Sequence, residues 1–482
     1  MNVEELNRLF EAQGKKRWQV AKTTAKERIA KLKALRKAII ARQQEFYDAV
    51  WEDFHKPKTE AWMTEVYPAI SEIDYAIKHL RKWMFDKPGE MSLLFATSGS
   101  ASHFEPKGRV LIMAPWNYPF LLFLSPIAAA IAAGNVVIAK PSHKTPRVSA
   151  VLENLIADVF EKDEVAVVQG AGAELGDKLL ALPFDHVFFT GSPKVGAHIA
   201  ELAAKIHAGV TLELGGKSPT FILEDARIAD TARKIAWGKC LNAGQTCIAP
   251  DYVLCPRSLV TAFATAVADN IKKMYGDTDE TRKECENFVR IVEPHAVERH
   301  KALMLDAVTK GATAVIGGAE FCDANARYTP ATVLTGVTPD MEIMQSEIFG
   351  PILPIIAYDS LEEAIAFVQN RPKPLALYIF GKSKRDIDRV LRETTSGSTC
   401  VNHCILQIEN LSVPFGGVGM SGTGNYHGIY GFKTFSHERN VMHQGAFDPL
   451  SFLYPPYHKA DDKGFRAKFQ RFAIALLKSL RG

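Results

Sequence analysis

The chain has 482 residues, of which 47% are hydrophobic and 23% are charged, and its formal net charge is +4. This length exceeds what a single hydrophobic core supports, so we expect more than one domain. A charge this small over so large a surface does not indicate nucleic-acid or acidic partners, and no nucleic-acid partner is predicted. Seven cysteines without a dense framework indicate free thiols in a reducing compartment, which is typical of a cytoplasmic protein.

Helices are predicted for the first 85 residues. Between Glu27 and Ile40 the apolar residues recur at spacings of three and four, which is typical of an amphipathic helix, and the charges of this region predict a solvated surface. The segment lacks the basic-then-apolar order of a secretory signal. Asp86 to Glu90 then interrupts the helices, and Met91 to Glu105, which has no helical period, predicts an excursion such as a hairpin.

From Gly108 onward, strands and helices are predicted to alternate. The longest apolar run, Phe120 to Ala133, contains Pro126 and is too short to span a bilayer, so it predicts a buried helix. Short apolar strands separated by helices indicate a parallel sheet covered on both faces. Five such strands are predicted, at Arg109–Ala114, Asn135–Ala139, Glu164–Val168, His186–Phe189 and Val210–Leu214.

The carboxyl ends of these strands are where a sheet of this kind binds its ligands. The fourth strand leads into Gly191 and Ser192, with Gly196 in the next helical turn, so backbone N–H groups can approach a phosphate there. The second strand ends in a cation and a hydroxyl, Lys140 and Ser142. Taken alone, Lys140 is equally consistent with a surface lysine before a helix.

Three further side chains are candidates for chemistry. Asn117 lies between two prolines after the first strand and could donate to an oxyanion or merely shape the turn. Glu213 alternates with leucines in the fifth strand, where a carboxyl can have a raised pKa and act as a general base, unless it points into water. Cys247, on a Gly-Gln-Thr-Cys turn, can present a nucleophilic thiol, although a lone cysteine is more often a small buried hydrophobe.

A second α/β segment follows Cys247. It leads to a glycine-dense stretch, Pro414 to Gly424, which predicts an irregular loop. Cys400, His403 and Cys404 lie close in sequence, but no second ligand cluster accompanies them, so no metal site is predicted. Further strands are predicted at Ala314–Gly318, Pro330–Leu334, Ile352–Ile356, Leu375–Phe380 and Gly397–Val401.

The tail from Tyr454 to Gly482 ends in an amphipathic segment, in which apolar residues between Phe465 and Leu480 are interleaved with lysines and arginines. The favoured interpretation is a helix that docks on the protein's own surface or on a dimer partner. The alternative is a basic amphipathic helix on a membrane surface, which would make the protein peripherally membrane-associated.

Several short motifs follow one another along the chain: Pro115-Trp-Asn-Tyr118, Lys140-Pro-Ser142, Thr190-Gly-Ser192 with Gly196, Glu213-Leu-Gly-Gly216, Gly244-Gln-Thr-Cys247, Glu347-Ile-Phe-Gly-Pro351 and Pro414-Phe-Gly-Gly417. In order and spacing they resemble the NAD(P)-dependent aldehyde dehydrogenase superfamily over nearly the whole chain, up to about residue 440. The segments around Trp237, Ala249 and Ser421 are most similar to the class 3 branch, which includes fatty and aromatic aldehyde dehydrogenases.

The resemblance implies a role for each candidate. Cys247 would attack the aldehyde to give a thiohemiacetal, whose oxyanion Asn117 and the backbone N–H of Cys247 would hold. Glu213 would activate the water that hydrolyses the resulting thioester. The resemblance also implies NAD or NADP as cofactor, bound by Lys140, Ser142, His143, Gly191, Ser192, Gly196, Glu347 and Phe349.

One departure from the family pattern bears on the choice of cofactor. Many members that prefer NAD carry a glutamate directly after Lys-Pro-Ser, and this chain carries His143 there. A carboxylate would repel the 2′-phosphate of NADP and an imidazole would not. We therefore expect NADP to be accepted alongside NAD.

The class 3 resemblance also implies a substrate and a domain plan. The substrate would be a medium- to long-chain aliphatic or aromatic aldehyde, in an apolar pocket lined by Tyr67, Tyr118 and Trp237. A Rossmann-type cofactor domain would comprise residues 1–85 and 107–213, and an α/β catalytic domain residues 214–397. A small β extension, residues 86–106 and 398–441, would pair two chains into a homodimer, and residues 442–482 would form the tail.

Competing activities stay open on the sequence alone. In a CoA-acylating aldehyde dehydrogenase, CoA would take the acyl group, but such relatives generally lack the glutamate that this chain has at Glu213. A Cys-dependent esterase would leave Lys140 and Gly191 without a role. A non-catalytic protein on the same scaffold would not need Cys247 and Asn117.

Overall fold

The computed structural model describes residues 2–90, 97–446, 448, 451, 454–455, 457 and 462–479. The chain separates into two compact units, of which the first is Met1–Trp83 with Pro106–His437 and the second is Met84–Glu105 with Glu438–Gly482. Helices and strands alternate through most of the first unit. The predicted α/β fold class is therefore confirmed.

The α-helices and β-strands follow one another in chain order. The helices are α1 (Val3–Ala21), α2 (Ala25–Phe54), α3 (Lys58–Ala61), α4 (Tyr67–Trp83), α5 (Leu121–Ala133), α6 (Pro146–Ala157), α7 (Gly172–Leu180), α8 (Pro193–Lys205), α9 (Ile228–Cys240), α10 (Val260–Tyr275), α11 (Asp279–Glu284), α12 (Pro294–Thr309), α13 (Leu361–Gln369), α14 (Lys384–Glu393), α15 (Gly428–Thr434) and α16 (Phe465–Ser479). The strands are β1 (Lys87–Pro88), β2 (Ser98–Pro106), β3 (Arg109–Met113), β4 (Val136–Lys140), β5 (Val165–Val167), β6 (His186–Gly191), β7 (Gly209–Leu214), β8 (Pro219–Ile222), β9 (Tyr252–Pro256), β10 (Thr313–Ile316), β11 (Thr332–Thr335), β12 (Ile352–Tyr358), β13 (Ala376–Phe380), β14 (Ser398–Val401), β15 (Gly422–Thr423) and β16 (Ser436–Gln444).

Capping boxes start the two N-terminal helices. Asn2 accepts from the N–H of Glu5 at the start of α1, and Thr24 accepts from the N–H of Glu27 at the start of α2. Each glutamate in turn accepts from the backbone N–H of its cap, so two otherwise unpaired donors are satisfied at each end. The helices predicted for this region are therefore confirmed.

The prediction that the charges between Glu27 and Ile40 are solvated is wrong for Arg28, and two more charges of the N-terminal helical region, at Lys56 and Glu65, are also buried. Arg28 is buried, and its guanidinium donates to the backbone carbonyls of Ala21 and Ala132. Lys56 and Glu65 are fully buried as an ion pair. Buried charges are tolerated when each finds a partner, and a periodicity argument does not reveal such partners.

A six-stranded sheet, in the order β15-β7-β6-β3-β4-β5, carries the predicted parallel strands. The strands β3 to β7 are parallel to their neighbours, as predicted, and β15 adds an antiparallel edge. The register sets Met113 opposite both Lys140 and Phe189, and Thr190 opposite Glu213. The carboxyl ends of four strands therefore meet at one edge, and the chain changes direction across the sheet at β3, which opens a crevice there.

A seven-stranded sheet, in the order β10-β11-β12-β9-β8-β13-β14, follows in the chain. Its pairs are parallel except for β10 with β11. The strands predicted in this region are present, but the sequence did not predict β8 and β9, which occupy the middle of the sheet. Both are short and fully buried, as is the predicted strand β4.

The second unit contains a three-stranded sheet, in the order β1-β2-β16. The excursion predicted from Met91 to Glu105 includes β2, while residues 91–96 lie outside the described residues. The predicted tail helix is α16; Leu480 and the side chains of Leu476 and Leu477 lie outside the described residues. Among the described helices, none combines the length and the apolar character needed to cross a membrane. The division into cofactor, catalytic and dimerisation domains stays a prediction.

Candidate active site

Glu213 lies near the carboxyl end of β7, between Thr190 of β6 and Gly422 of β15. Its side chain is buried, and neither carboxyl oxygen has a hydrogen-bond partner within the described part of the chain. Burial raises the pKa of Glu213 well above its ordinary value. Burial therefore favours the neutral form of this carboxyl, because no hydrogen bond among the described residues stabilises its charge.

A sharp turn presents Cys247. Its residues Asn242, Ala243 and Gly244 all have positive φ angles, of 52°, 50° and 72°. A Cβ on Gly244 would lie 2.2 Å from the carbonyl oxygen of Gly350, so only glycine is accommodated there. Two non-glycine residues in the left-handed region carry strain, which is typical of functional sites whose surroundings over-determine the backbone.

The thiol of Cys247 lies among carboxyl groups. Burial, followed by the charges of Glu347 and Glu213, raises the pKa of Cys247 to about 12. The backbone N–H groups of Cys247 and Ile248 act in the opposite direction, because they donate to the sulfur. The resting thiol is therefore protonated, and two backbone donors lie at the sulfur.

Asn117 joins the end of β3 to the turn of Cys247. Its side-chain nitrogen donates to the backbone carbonyl oxygen of Gln245 at 3.1 Å. The backbone carbonyl oxygen of Asn117 accepts from Nδ2 of Asn242 at 2.9 Å. The amide group has two N–H donors, so one remains available for an oxyanion. The three predicted catalytic residues thus converge from β3, β7 and the turn after α9.

An apolar cavity of about 280 Å³ opens on Cys247. The predicted pocket residues Tyr67, Tyr118 and Trp237 all line it. The hydroxyl of Tyr118 forms a hydrogen bond of 2.6 Å with Thr246, the residue before the cysteine, and this bond fixes the ring against the turn. Most of the remaining wall is leucine, isoleucine and methionine, which suits an apolar substrate.

The sequence missed part of this wall. Met63 and Thr64 reach the cavity from a π-helical turn, Trp62–Val66, whose wide hydrogen-bond spacing no sequence periodicity predicts. Glu409 is the one charged side chain among the described residues that line the cavity. Burial raises the pKa of Glu409, and no motif in the sequence marks it.

The predicted adenosine-binding residues lie at the end of β4. Lys140, the last residue of β4, is buried, and burial lowers the pKa of its ammonium. The hydroxyl of Ser142 accepts from the N–H of Lys144, whose ammonium is paired with Glu293. His143 lies beside them with much of its side chain exposed; its partial burial, followed by the charges of Lys140 and Lys144, lowers its pKa and favours the neutral imidazole.

The predicted pyrophosphate residues lie between β6 and α8. Ser192 caps α8 and accepts from the N–H of Val195, so the helix starts at Pro193. A Cβ on Gly196 would lie 2.6 Å from the side chain of Leu214, so a glycine lets α8 pack close to β7. The helix N-terminus is thereby held at the sheet edge, where it fits a bound dinucleotide phosphate.

Glu347 and Phe349 approach the end of β7 from the second sheet. The carboxyl of Glu347 lies against Gly215, where a Cβ would be 2.1 Å away. Burial, followed by the charge of Asp251, raises the pKa of Glu347 to about 8. Phe349 has a φ of 51°, and its ring packs edge-on against Trp116 at 5.4 Å. Glu347 thus lies between the end of β7 and the thiol of Cys247, and the binding of a nicotinamide ribose by Glu347 and Phe349 stays a prediction.

The described part of the chain contains no group of residues arranged to bind a metal ion. No three histidine, cysteine or acidic side chains cluster there as metal ligands would. The thiol of Cys404 is buried and donates to the carbonyl oxygen of Lys234 at 3.2 Å. The ring of His403 contacts the backbone of Cys404.

Comparisons with known proteins agree with this geometry. The model of the aldehyde dehydrogenase family matches residues 1–441. Aldehyde dehydrogenase family 3 member A2 of Mus musculus is 40% identical over 444 residues, 92% of this chain and 89% of that protein. The dimeric NADP-preferring aldehyde dehydrogenase of Canis lupus familiaris is 39% identical over 431 residues, 89% of this chain and 93% of that protein. The structure of the substrate-bound state of Staphylococcus aureus AldH is 37% identical, covers 99% of this chain and 100% of its own, and superposes with a TM-score of 0.92. The chain therefore belongs to the aldehyde dehydrogenase family, is similar to its class 3 branch, and is an NAD(P)-dependent enzyme that oxidises aldehydes.

Proposed function

We propose that the enzyme oxidises medium- to long-chain aliphatic or aromatic aldehydes to free carboxylic acids through an acyl thioester on Cys247. The observation that carries this proposal is the apolar cavity of about 280 Å³ that opens on Cys247, with the unpartnered carboxyl of Glu213 close to the sulfur. An apolar wall binds the chain or ring of the aldehyde and leaves the carbonyl at the sulfur.

In the first step the sulfur of Cys247 adds to the aldehyde carbon and loses its proton to solvent. The carbonyl oxygen becomes an oxyanion, and the side-chain amide of Asn117 and the backbone N–H of Cys247 donate to it. A donor of this kind stabilises such an adduct by about 3 kcal/mol. NAD or NADP, when bound by the residues at the ends of β4 and β6, supplies the hydride acceptor that converts the adduct to a thioester.

Glu213 is proposed to complete the reaction as a general base. In its ionised form the carboxylate takes a proton from water, and the hydroxide adds to the thioester carbon. The carbon–sulfur bond then breaks, the acid leaves, and the sulfur of Cys247 recovers a proton. A raised pKa suits this task because a base works best when its pKa lies near the operating pH.

The test of this mechanism is Glu213→Gln. The variant should give one turnover of NAD(P)H per site and then stop, because the thioester forms but is not hydrolysed. Intact-protein mass spectrometry should find the acyl group on Cys247, and Cys247→Ser should show neither the burst nor the acyl group. Release of free acid by Glu213→Gln at the wild-type rate would sink the proposal. Addition of CoA to the wild type tests the CoA-acylating alternative, because only that activity needs CoA for turnover.

The substrate class is tested by a rate survey. We expect kcat/KM to rise along a series of straight-chain aldehydes from short to medium length and to be high for aromatic aldehydes, because the cavity wall is apolar. A preference for small polar aldehydes would overturn the substrate class and leave the thioester mechanism standing.

We propose that the enzyme accepts both cofactors. The exposed, neutral imidazole of His143 presents no negative charge to a 2′-phosphate, and the relative from Canis lupus familiaris is named NADP-preferring. Initial rates with each cofactor measure the preference, and strict dependence on NAD would contradict the proposal.

We also propose that the protein is a cytoplasmic homodimer in which α16 docks on protein rather than on a membrane. Flotation with anionic phospholipid vesicles tests the docking of α16. Comigration of the full chain with the vesicles, lost when residues 446–482 are removed, would favour the membrane alternative.

A further inference from the structure

A fully buried ion pair lies behind the proposed oxyanion site. The ammonium of Lys56 is 2.6 Å from Oε1 of Glu65, and both side chains are 0% exposed. Burying two charges costs free energy that their attraction only partly returns, and an apolar pair of similar volume often gives equal or greater stability. The contacts of the pair therefore decide what it does.

Both partners contact the segment that carries Asn117. The ammonium of Lys56 donates to the carbonyl oxygen of Asn117 at 3.5 Å and lies 4.2 Å from the ring centroid of Tyr118. Oε2 of Glu65 accepts from the N–H of Phe120 at 2.8 Å. The ion pair thus holds the backbone on both sides of Tyr118.

The position of Glu65 depends on the π-helical turn Trp62–Val66. Single π-helical turns within α-helical segments occur frequently at functional sites, because they redirect side chains without ending the helix. Here Met63 and Thr64 of the turn line the substrate cavity, while Glu65 points into the interior. One irregular turn therefore supplies both a wall of the cavity and the support behind it.

A second contact ties the same region to the turn of Cys247. Oε1 of Glu60 accepts from the N–H of Asn242 at 2.8 Å, and Asn242 donates to the carbonyl oxygen of Asn117 at 2.9 Å. That carbonyl oxygen therefore accepts from Lys56 as well as from Asn242. Two donors on one carbonyl fix the peptide plane from which the Asn117 side chain projects.

We propose that Lys56 and Glu65 are positioning residues, which hold Asn117 where it donates to the oxyanion. The inference rests on the proposed role of Asn117. Neither residue touches the reacting atoms; the pair acts through the backbone of residues 117–120. A displacement of the donor by about 1 Å can cost about 100-fold in rate, so we expect loss of the pair to lower kcat by about 10- to 100-fold. KM should change little, because the donor acts mainly in the transition state.

The decisive variant is the double substitution Lys56→Met with Glu65→Gln, which removes both charges of the pair together and leaves the hydrogen bond of Glu60 to Asn242 in place. The matched control is Lys31→Met with Glu164→Gln, which removes an ion pair between α2 and the segment before β5. Thermal unfolding verifies that each variant is folded. We expect a drop in kcat at nearly constant KM for the first pair and the wild-type kcat for the control.

A cycle with Asn117→Ala separates positioning from general damage. In that background the double substitution should add no further loss, because the donor that it positions is already absent. Full additivity of the two losses, or wild-type kcat in the folded double variant, would overturn the inference. Wild-type kcat in Asn117→Ala itself would instead overturn the proposed oxyanion role. Should the double variant fail to fold, Glu65→Asp keeps the charge but shortens the reach of the carboxylate to the N–H of Phe120. We expect it to lower kcat by the same mechanism. An unchanged kcat in Glu65→Asp would count against the positioning role of the pair.

Discussion

Cys247 carries a thiol that the resting protein keeps protonated. Burial and the carboxyl groups of Glu347 and Glu213 raise the pKa of Cys247 to about 12, and a thiol is a much weaker nucleophile than a thiolate. We therefore expect kcat/KM for aldehyde oxidation to increase with pH between about 6 and 9, as a larger fraction of the sulfur ionises. Initial rates at low aldehyde concentration measure the profile. A flat profile in this range would indicate that the thiolate is already formed, which is incompatible with the resting geometry.

The raised pKa of Glu213 also predicts how the stability of the folded protein depends on pH. A carboxyl whose pKa is raised in the folded protein stays neutral there while the unfolded chain ionises above its ordinary pKa of 4.5. The associated stability is complete below about pH 4.5 and is lost as the pH rises through the folded-state pKa, by up to about 1.4 kcal/mol per pH unit. Glu213→Gln lacks this loss, so its Tm advantage over the wild type should grow from pH 5 to pH 8. Glu201→Gln, on the exposed face of α8, is the control and should show no such trend.

At the scale of elements, α8 depends on a glycine for its distance from β7. A larger side chain at Gly196 would collide with Leu214, which is itself buried, so the helix would have to move away from the sheet. We expect Gly196→Val to raise KM for NAD(P) by about 10-fold or more, because the helix N-terminus no longer meets the phosphates. Ala197→Val places the same bulk on the exposed face of α8 and should leave KM unchanged. Equal KM values for the two variants would argue against a cofactor at this edge.

The elements that sequence reasoning found are those with a strong local pattern. The apolar run of α5 predicts a buried helix, and every residue of α5 is buried. The five short apolar strands predict a parallel sheet, and the register brings their carboxyl ends together. The strands β8 and β9 were missed, although they are as fully buried as β4; β8 has four residues and begins with a proline, which counts against a strand.

The residues of the candidate site likewise fall into those that the sequence indicated and those that it did not. Motif resemblance indicated Cys247, Glu213 and Asn117, which lie in short conspicuous segments near glycines. It gave no indication of Lys56 or Glu65, because charges in a helical segment are usually solvated. Their burial depends on a π-helical turn and on backbone groups some 60 residues away in the chain, which only the folded structure brings together.

At the scale of the first unit, the site is held together across its two large sheets. Asn117 follows β3 of the six-stranded sheet and donates to Gln245, on the turn that leads towards β9 of the seven-stranded sheet. Glu347, which precedes β12 of the seven-stranded sheet, in turn packs against Gly215, which follows β7 of the six-stranded sheet. The end of β3 and the turn of the nucleophile are thus joined by a hydrogen bond within one compact unit, so we expect a substitution on one sheet to alter the position of groups on the other.

The proposed homodimer makes a prediction about the free edge of the seven-stranded sheet, where β14 is the last strand. The N–H groups of Ser398 and Asn402 donate inward to β13, at 2.9 and 2.8 Å, so by alternation the N–H of Val401 points to the open edge. An exposed edge of this kind pairs readily with a second chain. Val401→Pro removes the outward donor without breaking a bond to β13, and we expect it to halve the mass measured by light scattering after gel filtration. Val401→Thr keeps both the N–H and the branched side chain and should remain dimeric. A dimer that survives Val401→Pro would show that β14 does not form the interface, and a monomeric wild type would exclude the homodimer itself.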